Sequence, residues 1–345
     1  KHHTGRHGLP LLGFADWNDT VNLPGDAESL FVASLYGLAL RERIELALHL
    51  GDSAGAAALE KDFADMARQV NQHGWDGEWY IRYFTEKGAP IGSRKNEQGQ
   101  IFANAQSWPV LAGFAPPDRA TQALDAVYRL LNTECGIKLS TPGYNGYDAA
   151  LGGVTSYPPG AKENGGIFLH SNPWVIIAET QRGNGDRAYE YYSQINPAAK
   201  NGTIDRYECE PYCYAQNILG DEHPQFGLGR NSWLSGTASW TYQAASQHIL
   251  GVRPGYDGLT VDPCIPAAWN GVTLTRKFRE ATYEITVRNP EHVSKGIASL
   301  FVDGKPLDSH VVPIFPPGSS HRVEVVMGKR NASVRPVSLA AAGAG

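Results

Sequence analysis

The stretch GFADWNDTVNL, residues 13–23, places two carboxylates around one aromatic ring. Asp16 and Asp19 flank Trp17, just before a strongly apolar segment with helical spacing. An indole face can hold a sugar ring, and an Asp beside that ring can protonate a glycosidic oxygen. Either Asp can equally well cap the following helix or form a turn. The residues alone do not decide whether Asp16 or Asp19 acts as a general acid or caps the helix.

A second polar segment, YPPGAKENGGIFLHSNPW at residues 157–174, contains both prolines, which restrict the backbone conformation, and glycines, which allow more conformations. Its prolines restrict the chain, and its glycines permit close approach. Lys162, Glu163 and His170 lie here among side chains that supply donors and acceptors of every type. The structural alternative is a packed loop with solvated Lys and Glu and a His that is satisfied in the core.

A third segment, residues 208–240, contains Ser235, Gly236 and Thr237 at the predicted start of a helix. Free backbone N–H groups, two hydroxyls and a glycine can form an anion pocket without a metal ion. A hydroxyl side chain at that position is also a common helix cap. The sequence has no P-loop, no dinucleotide-binding glycine motif and no G-x-S-x-G motif, so those chemistries are not indicated.

The composition excludes several classes of protein. A net charge of -5 over 345 residues gives no basic footprint for nucleic acid. No apolar run reaches the ~18 residues of a membrane span. The first ten residues lack the apolar region of a secretory signal, so a cytoplasmic location is expected. The 8 Trp, 16 Tyr and 38 Gly suit a sugar-binding cleft, although large cores also use aromatic side chains.

The four cysteines are too few and too scattered for a disulfide framework, which predicts buried reduced thiols. Cys209 and Cys213 lack a second Cys or His pair, and the early histidines His2, His3 and His7 lack partners. No metal site is therefore predicted.

The secondary-structure elements that position these groups are predicted to be helices up to about residue 252 and strands after it. Apolar periodicity predicts seven helices, near 28–50, 54–73, 103–112, 117–132, 173–181, 186–194 and 235–250. They come in pairs joined by Gly-containing turns, and Ser53 can cap the second. Long connections separate the pairs, of which 140–170 is the longest and is expected to be functional. This pattern predicts a mainly α fold, an α/α toroid whose loops line a cleft at one end; a plain helical array is the alternative.

After residue 252 apolar and polar residues alternate, with Gly, Asn and Asp at the joints. This predicts a small antiparallel β-sandwich. The expected organisation is a catalytic portion at 1–252, a β-domain at 253–328 and a mobile tail at 329–345.

Together these motifs resemble the cellobiose phosphorylases of glycoside hydrolase family 94. The resemblance is carried by RHGLPLLGFADWNDTVNL, DGEWYIRYF, GIKLSTPGYNGYD, the two long segments above and VDPCIPAAWNG, and it extends to about residue 328. It implies inverting phosphorolysis, in which cellobiose and phosphate give α-glucose 1-phosphate and glucose. It implies no cofactor and no metal, and inorganic phosphate is one of the substrates.

The resemblance also implies roles for single residues. Asp19 is the general acid. The other implied contacts are grouped by ligand: Trp17, Lys162 and Gln216 for the donor sugar, Tyr157 for the acceptor, and His170, Ser235, Gly236 and Thr237 for phosphate. A phosphate nucleophile needs positioning rather than deprotonation, so an anion pocket replaces the base of an inverting hydrolase.

The resemblance further implies that the chain corresponds to the C-terminal portion of such enzymes. An N-terminal β-sandwich, a linker and the first helices of an (α/α)6 barrel precede it in the family, together with donor-site arginines and an aspartate. The expected partners are a disaccharide, phosphate and a second copy of the complete chain, without nucleic acid or membrane. One alternative is a related phosphorylase that acts on laminaribiose, cellodextrin or chitobiose. Another is a non-catalytic sugar-binding fragment. The fragment made alone is also expected to be inactive.

Overall fold

The computed structural model describes residues 3–329, which divide into two compact units. The first unit contains residues 3–182 and 190–241, and the second contains residues 183–189 and 242–329. The predicted domain limits, 1–252 and 253–328, stay predictions. The predicted mobile tail lies outside the described residues, apart from Lys329. Within residues 3–329, no helix combines the length and apolar character that crossing a bilayer requires.

The described residues contain eight α-helices. These are α1 (Leu30–His49), α2 (Ser53–His73), α3 (Ala103–Ala112), α4 (Pro117–Leu130), α5 (Asn172–Gln181), α6 (Gly185–Ile195), α7 (Ile204–Tyr207) and α8 (Thr237–Gln243). The periodicity predictions for α1 to α6 are confirmed to within about two residues. The predicted seventh helix is α8 followed by a π-helical turn, Ala244–Ile249.

Capping side chains explain where the first two helices, α1 and α2, begin. The Ser29 hydroxyl accepts a hydrogen bond from the Val32 N–H at 3.1 Å, so Ser29 is the N-cap of α1. The α2 cap is Asp52, which accepts from the Gly55 N–H at 2.8 Å. The expectation that Ser53 caps α2 is therefore wrong, because Ser53 is already the first helical residue.

Helix α3 forms the centre of the first unit. All ten of its residues are buried, and it packs against α1 and α5 as well as α4. Helix α2 in turn packs on α1. Since α3 is buried on every side, it supports the connections at its ends.

Short strands form in the connections of the first unit. They are β1 (Glu28–Ser29), β2 (Tyr83–Phe84), β3 (Pro90–Ile91), β4 (Ile101–Phe102), β5 (Asn132–Thr133), β6 (Gly136–Ile137), β7 (Ser140–Thr141), β8 (Ile167–Phe168), β9 (Ala215–Ile218) and β10 (Gly229–Ser232). They pair as β1-β2-β3, β10-β9-β8, β4-β7 and β5-β6. The sheet of β8, β9 and β10 brings the second and third polar segments together.

The prediction of a mainly α chain built as an (α/α)6 toroid is wrong. Helix accounts for 36% and strand for 23% of the structure, which contains several small sheets. The physical reason is that the long connections lie side by side and pair their backbone N–H and C=O groups. Strands of two to four residues are too short for their alternation to be read from the sequence.

The second unit contains the remaining strands. They are β11 (Val252–Pro254), β12 (Gly258–Val261), β13 (Gly271–Phe278), β14 (Ala281–Arg288), β15 (Ile297–Val302), β16 (Lys305–Pro306), β17 (Val311–Pro313) and β18 (Ser320–Met327). They form a three-stranded sheet, β11-β12-β17, and a five-stranded sheet, β13-β14-β18-β15-β16.

The predicted antiparallel arrangement of this unit is wrong at one strand pair. Strands β14 and β18 pair in parallel, from Thr282 opposite Ser320 to Arg288 opposite Val326. Alternation such as the buried Tyr283, Ile285 and Val287 on β14 predicts a strand with one covered face. It carries no information about the direction of the neighbouring strand.

Candidate active site

Asp16 is the centre of a buried ion pair. The Arg82 guanidinium donates to its two carboxylate oxygens at 2.7 Å each, and both side chains are at most 1% exposed. The Ser29 hydroxyl donates to Asp16 at 2.6 Å and the Tyr83 hydroxyl at 3.1 Å. Arg82 also donates to the Asn18 side-chain oxygen at 2.7 Å. The turn at residues 17–19, here called the WND turn, is thus fixed together with Asp16 to the start of α1 and to β2.

This environment excludes Asp16 as a proton donor. Burial raises the pKa of its carboxyl, but the Arg82 charge and the hydrogen bonds from Arg82 and Ser29 outweigh burial, so the pKa lies below its ordinary value. Asp16 is therefore ionised and has its oxygens occupied. Asp19, by contrast, is exposed. Of the two carboxylates that the sequence left open, Asp19 is the one that can meet a substrate.

A second carboxylate lies close to Asp19. Glu163 is buried, and it accepts hydrogen bonds from both the hydroxyl and the backbone N–H of Thr20, the residue after Asp19. Burial raises the pKa of Glu163, and repulsion from the Asp19 charge adds to the effect. The interpretation of Glu163 as a solvated loop residue is wrong, because Glu163 connects the WND turn to the second polar segment.

The predicted sugar-binding residues lie along that second segment. The Lys162 ammonium is 5.2 Å from the centre of the Tyr157 ring. The Lys162 backbone N–H donates to the Asn217 side-chain oxygen, and the Asn217 amide donates to the Gln216 oxygen, at 3.4 Å each. Burial together with the Glu163 and Asp19 charges raises the pKa of Tyr157, so its hydroxyl stays protonated. The structure therefore brings Tyr157, Lys162 and Gln216 close to one another, and Tyr157 lies near enough to Asp19 to be affected by its charge.

The Asn164 side chain stabilises the conformation of the long connection, residues 140–170. Its side-chain oxygen accepts from the Tyr144 N–H at 2.6 Å, and its amide donates to the carbonyls of Tyr144 and Tyr157 at 2.9 and 2.7 Å. Gly160 and Gly220 lie so close that the Gly220 N–H donates to the Gly160 carbonyl at 2.7 Å. The longest connection is therefore ordered by its own polar side chains.

Trp17 forms an aromatic wall with its neighbours. Its ring lies 4.8 Å from that of Trp174 and 5.3 Å from that of Phe168, in edge-to-face contacts. Its indole N–H donates to Nδ1 of His170 at 3.3 Å. Burial lowers the pKa of His170, so the ring is neutral near pH 7. A neutral ring that accepts at Nδ1 carries its proton on Nε2 and can donate from there.

The proton on Nε2 faces the third polar segment. A methyl group on Gly236 would lie 3.2 Å from Nε2 of His170, so the ring and the Gly236 backbone are in close contact. The hydroxyls of Ser235 and Thr237 share a hydrogen bond, and Thr237 is fully buried. Thr237 is thus placed to orient Ser235. The imidazole N–H, the Ser235 hydroxyl and the nearby backbone form a set of donors that suits an oxyanion.

The sequence interpretation did not recognise Arg82 or the contact between Thr20 and Glu163. One signal for Arg82 was available, since it is the lone charge within the apolar run WYIRYF and so needs a buried partner. Nothing local indicates that this partner is Asp16, 66 positions away. Within residues 3–329, the structure shows no group of three or more His, Cys, Asp or Glu that could hold a metal ion. The four cysteines are buried and free, as predicted.

Comparison with known proteins identifies the family. The profile described as the Glycosyl hydrolase 94 superfamily, catalytic domain, matches residues 1–251. The chain belongs to this family. The resemblance drawn from the sequence motifs is confirmed, and the match covers every residue of the candidate site.

Two curated relatives of this family 94 chain are phosphorylases. An N,N'-diacetylchitobiose phosphorylase from Vibrio furnissii is 43% identical over 94% of this chain and 41% of its own length. A solabiose phosphorylase from Paenibacillus borealis is 36% identical over 94% of this chain and 43% of its own length. The chain therefore spans less than half of each relative.

A solved structure titled sialidase shares the fold at low sequence identity. It superposes with a TM-score of 0.57 and 10% identity, over 79% of this chain and 25% of that one. This likeness concerns the fold alone. It agrees with the mixture of helices and small sheets described above.

Proposed function

We propose that this chain carries the acid, the sugar contacts and the phosphate contacts of an inverting disaccharide phosphorylase. The observation that carries the proposal is the contact between Trp17 and His170. It joins the turn that bears the exposed Asp19 to the oxyanion donors around Ser235 and Gly236. Phosphorolysis requires an acid and a set of anion donors that can reach opposite faces of the same anomeric carbon.

The chemistry follows from this arrangement. Asp19 gives its proton to the glycosidic oxygen as the bond from that oxygen to the anomeric carbon breaks. A phosphate oxygen forms the new bond to the anomeric carbon from the opposite face, so a β-linked disaccharide gives an α-sugar 1-phosphate and a free sugar. Phosphate is already an anionic nucleophile. The protein has only to hold it in line, and the neutral His170 does so by donating from Nε2.

The identity of the disaccharide that is cleaved is the second part of the proposal. The sequence resemblance favours cellobiose, whereas the relative that is 43% identical acts on N,N'-diacetylchitobiose. We propose a β-linked disaccharide of glucose or N-acetylglucosamine as the substrate class. The two differ by an acetamido group at each ring, so a comparison of kcat/KM for cellobiose and diacetylchitobiose decides between them.

The test of the proposed function is product formation with and without phosphate. The intact protein is incubated with each disaccharide, and both sugar 1-phosphate and free sugar are measured. Phosphorolysis predicts equal amounts of the two products and none without phosphate. Free sugar released at the same rate without phosphate would contradict the proposal.

Hydrolysis is the second candidate, and the position of Glu163 favours it. An inverting hydrolase needs a carboxylate base to activate water opposite the acid, and Glu163 lies near Asp19. However, Thr20 donates twice to one Glu163 oxygen, which occupies that oxygen. If hydrolysis is the activity, Glu163→Gln abolishes a phosphate-independent release of sugar.

The phosphate contacts give a separate prediction. His170→Ala and Ser235→Ala are each expected to raise the KM for phosphate by ~10–100-fold, because each removes a hydrogen bond to an anion. Gly236→Ala should do the same, since its methyl group would crowd the His170 ring at 3.1 Å. Initial rates with each substrate varied in turn measure the effect, with the exposed Ser53→Ala as the control. Equal increases in the KM for disaccharide would place these residues in the fold instead.

A further inference from the structure

The backbone on both sides of Asp19 is held by its neighbours, although the Asp19 side chain is exposed. The preceding Asn18 is buried, and its side-chain oxygen accepts from Arg82 at 2.7 Å. The Asn22 side-chain amide donates to the Asp19 carbonyl at 3.1 Å. The carboxylate of the proposed acid is therefore carried by a turn whose position other residues determine.

Thr20, the residue after Asp19, makes the contacts that join this turn to the rest of the site. Its hydroxyl and its N–H both donate to one Glu163 oxygen, the N–H at 3.4 Å. Its carbonyl accepts from the Val154 N–H at 2.8 Å. The N–H, the carbonyl and the hydroxyl of Thr20 are thus all hydrogen-bonded. Glu163 and Val154 are buried, and both belong to the long connection, residues 140–170.

Gly152 approaches the chain directly after the WND turn. It is buried, and a methyl group added to it would lie 2.8 Å from the Asn22 backbone nitrogen and 3.1 Å from the Thr20 carbonyl oxygen. Its φ of 86° is also a conformation that favours glycine. The loop that carries Gly152 is closed by Thr155, whose hydroxyl accepts from the Asp148 N–H at 2.8 Å. The close approach of this loop to the turn therefore requires glycine at 152.

We propose that Thr20 is a positioning residue for the general acid, held by Glu163 and by the backbone of residues 152–154. This inference rests on the proposed function, because Thr20 acts through Asp19 and does not touch the reacting atoms. A general acid must come within hydrogen-bond distance of the glycosidic oxygen, and a displacement of ~1 Å can cost ~10²-fold in rate. The long connection thus determines where the Asp19 carboxylate lies.

The experiment compares two substrates of the intact protein, with inorganic phosphate as the nucleophile for both. One is the disaccharide, whose leaving sugar needs a proton. The other is the β-glycosyl fluoride of the same donor sugar, whose leaving fluoride departs with its electron pair and needs no general acid. Thr20→Val removes the hydroxyl at nearly constant size, and Thr20→Ser keeps it.

The expected result is a loss that depends on the leaving group. Thr20→Val should lower kcat for the disaccharide by ~10–100-fold, while the KM for phosphate and the rate on the glycosyl fluoride stay within about threefold of wild type. Thr20→Ser should keep kcat for the disaccharide within about threefold. Circular dichroism checks that each variant folds.

Gly152→Ala tests the same role from the other contact and replaces Thr20→Val if that variant does not fold. Its methyl group would displace the segment at Thr20 and Asn22, so the same selective loss is expected. The matched control is Gly146→Ala. Gly146 has φ of 92°, and a methyl group there would meet nothing within 4 Å, so backbone strain is similar but the turn is not displaced.

The outcomes separate the positioning role from the proposed function. Equal losses on both substrates, or an unchanged kcat for the disaccharide, would overturn the positioning role of Thr20. Asp19→Asn, assayed beside these variants, should lose the disaccharide reaction and keep the fluoride reaction. If Asp19→Asn does so and Thr20→Val loses neither reaction, only the positioning role is wrong. If Asp19→Asn keeps both reactions, the acid of the proposed function is wrong and the role of Thr20 is contradicted as well.

Discussion

Asp19→Asn is expected to lower kcat for phosphorolysis by ~10²–10⁴-fold while leaving the fold intact. The reason is that an amide cannot protonate the departing sugar oxygen, and a sugar without that proton is a poor leaving group. Asp19 is exposed, so its replacement removes no buried contact. Initial rates of sugar 1-phosphate release measure the effect, and circular dichroism checks the fold.

Asp26→Asn is the matched control for this variant. Asp26 is also exposed and lies seven positions further along the same segment, outside the candidate site. We expect it to keep kcat within about twofold. If the Asp19 variant keeps more than roughly a tenth of kcat, Asp19 is a turn residue and the acid lies elsewhere.

The second large effect concerns stability. Asp16→Asn is expected to lower the free energy of unfolding by ~3–5 kcal/mol, because it leaves the fully buried Arg82 guanidinium without its counter-charge. The control is Asp65→Asn, which breaks the exposed pair of Asp65 and Arg68 and should cost less than ~1 kcal/mol. Urea unfolding of the three proteins gives both values. A loss below ~1 kcal/mol for Asp16→Asn would show that the ion pair contributes little.

The same ion pair predicts a dependence of stability on pH. The pKa of Asp16 is raised by burial but lowered further by Arg82, so it lies below the ordinary value of ~3.9. Asp16 then binds its proton more weakly in the folded than in the unfolded state. Its contribution to stability is present above the ordinary pKa and is lost as the pH falls through the lowered one. Wild type should lose more stability than Asp16→Asn on acidification, and parallel losses would contradict this.

The helices could be predicted from the sequence because their information is local. The buried residues Ala120, Leu124 and Val127 of α4 repeat at helical spacing, and Gly113, with φ of 80°, ends α3 in a left-handed conformation. The short strands could not be predicted, because β8 and β9 exist only where Phe168 meets Asn217 across 49 positions. The wrong fold class follows from this difference between local and long-range pairing.

The candidate site was predictable in its residue types but not in its connections. Asp19, His170 and Ser235 belong to motifs that carry a recognisable chemistry. The distinction between Asp16 and Asp19 depends on Arg82, which the chain brings from 66 positions away. The burial of Glu163 likewise depends on Thr20, a contact over 143 positions. Such contacts decide which of two similar carboxylates is ionised and which can act.

The most direct test of the account is the stereochemistry of the sugar 1-phosphate at the first turnovers. The intact protein, a β-linked disaccharide and inorganic phosphate are combined, and ³¹P and ¹H NMR spectra are recorded before the product can equilibrate. An acid at Asp19 and a phosphate held by His170 and Ser235 on the opposite face predict the α-sugar 1-phosphate, with no free sugar beyond the released half. A β-sugar 1-phosphate, or free sugar from both halves of the disaccharide, would contradict the central claim.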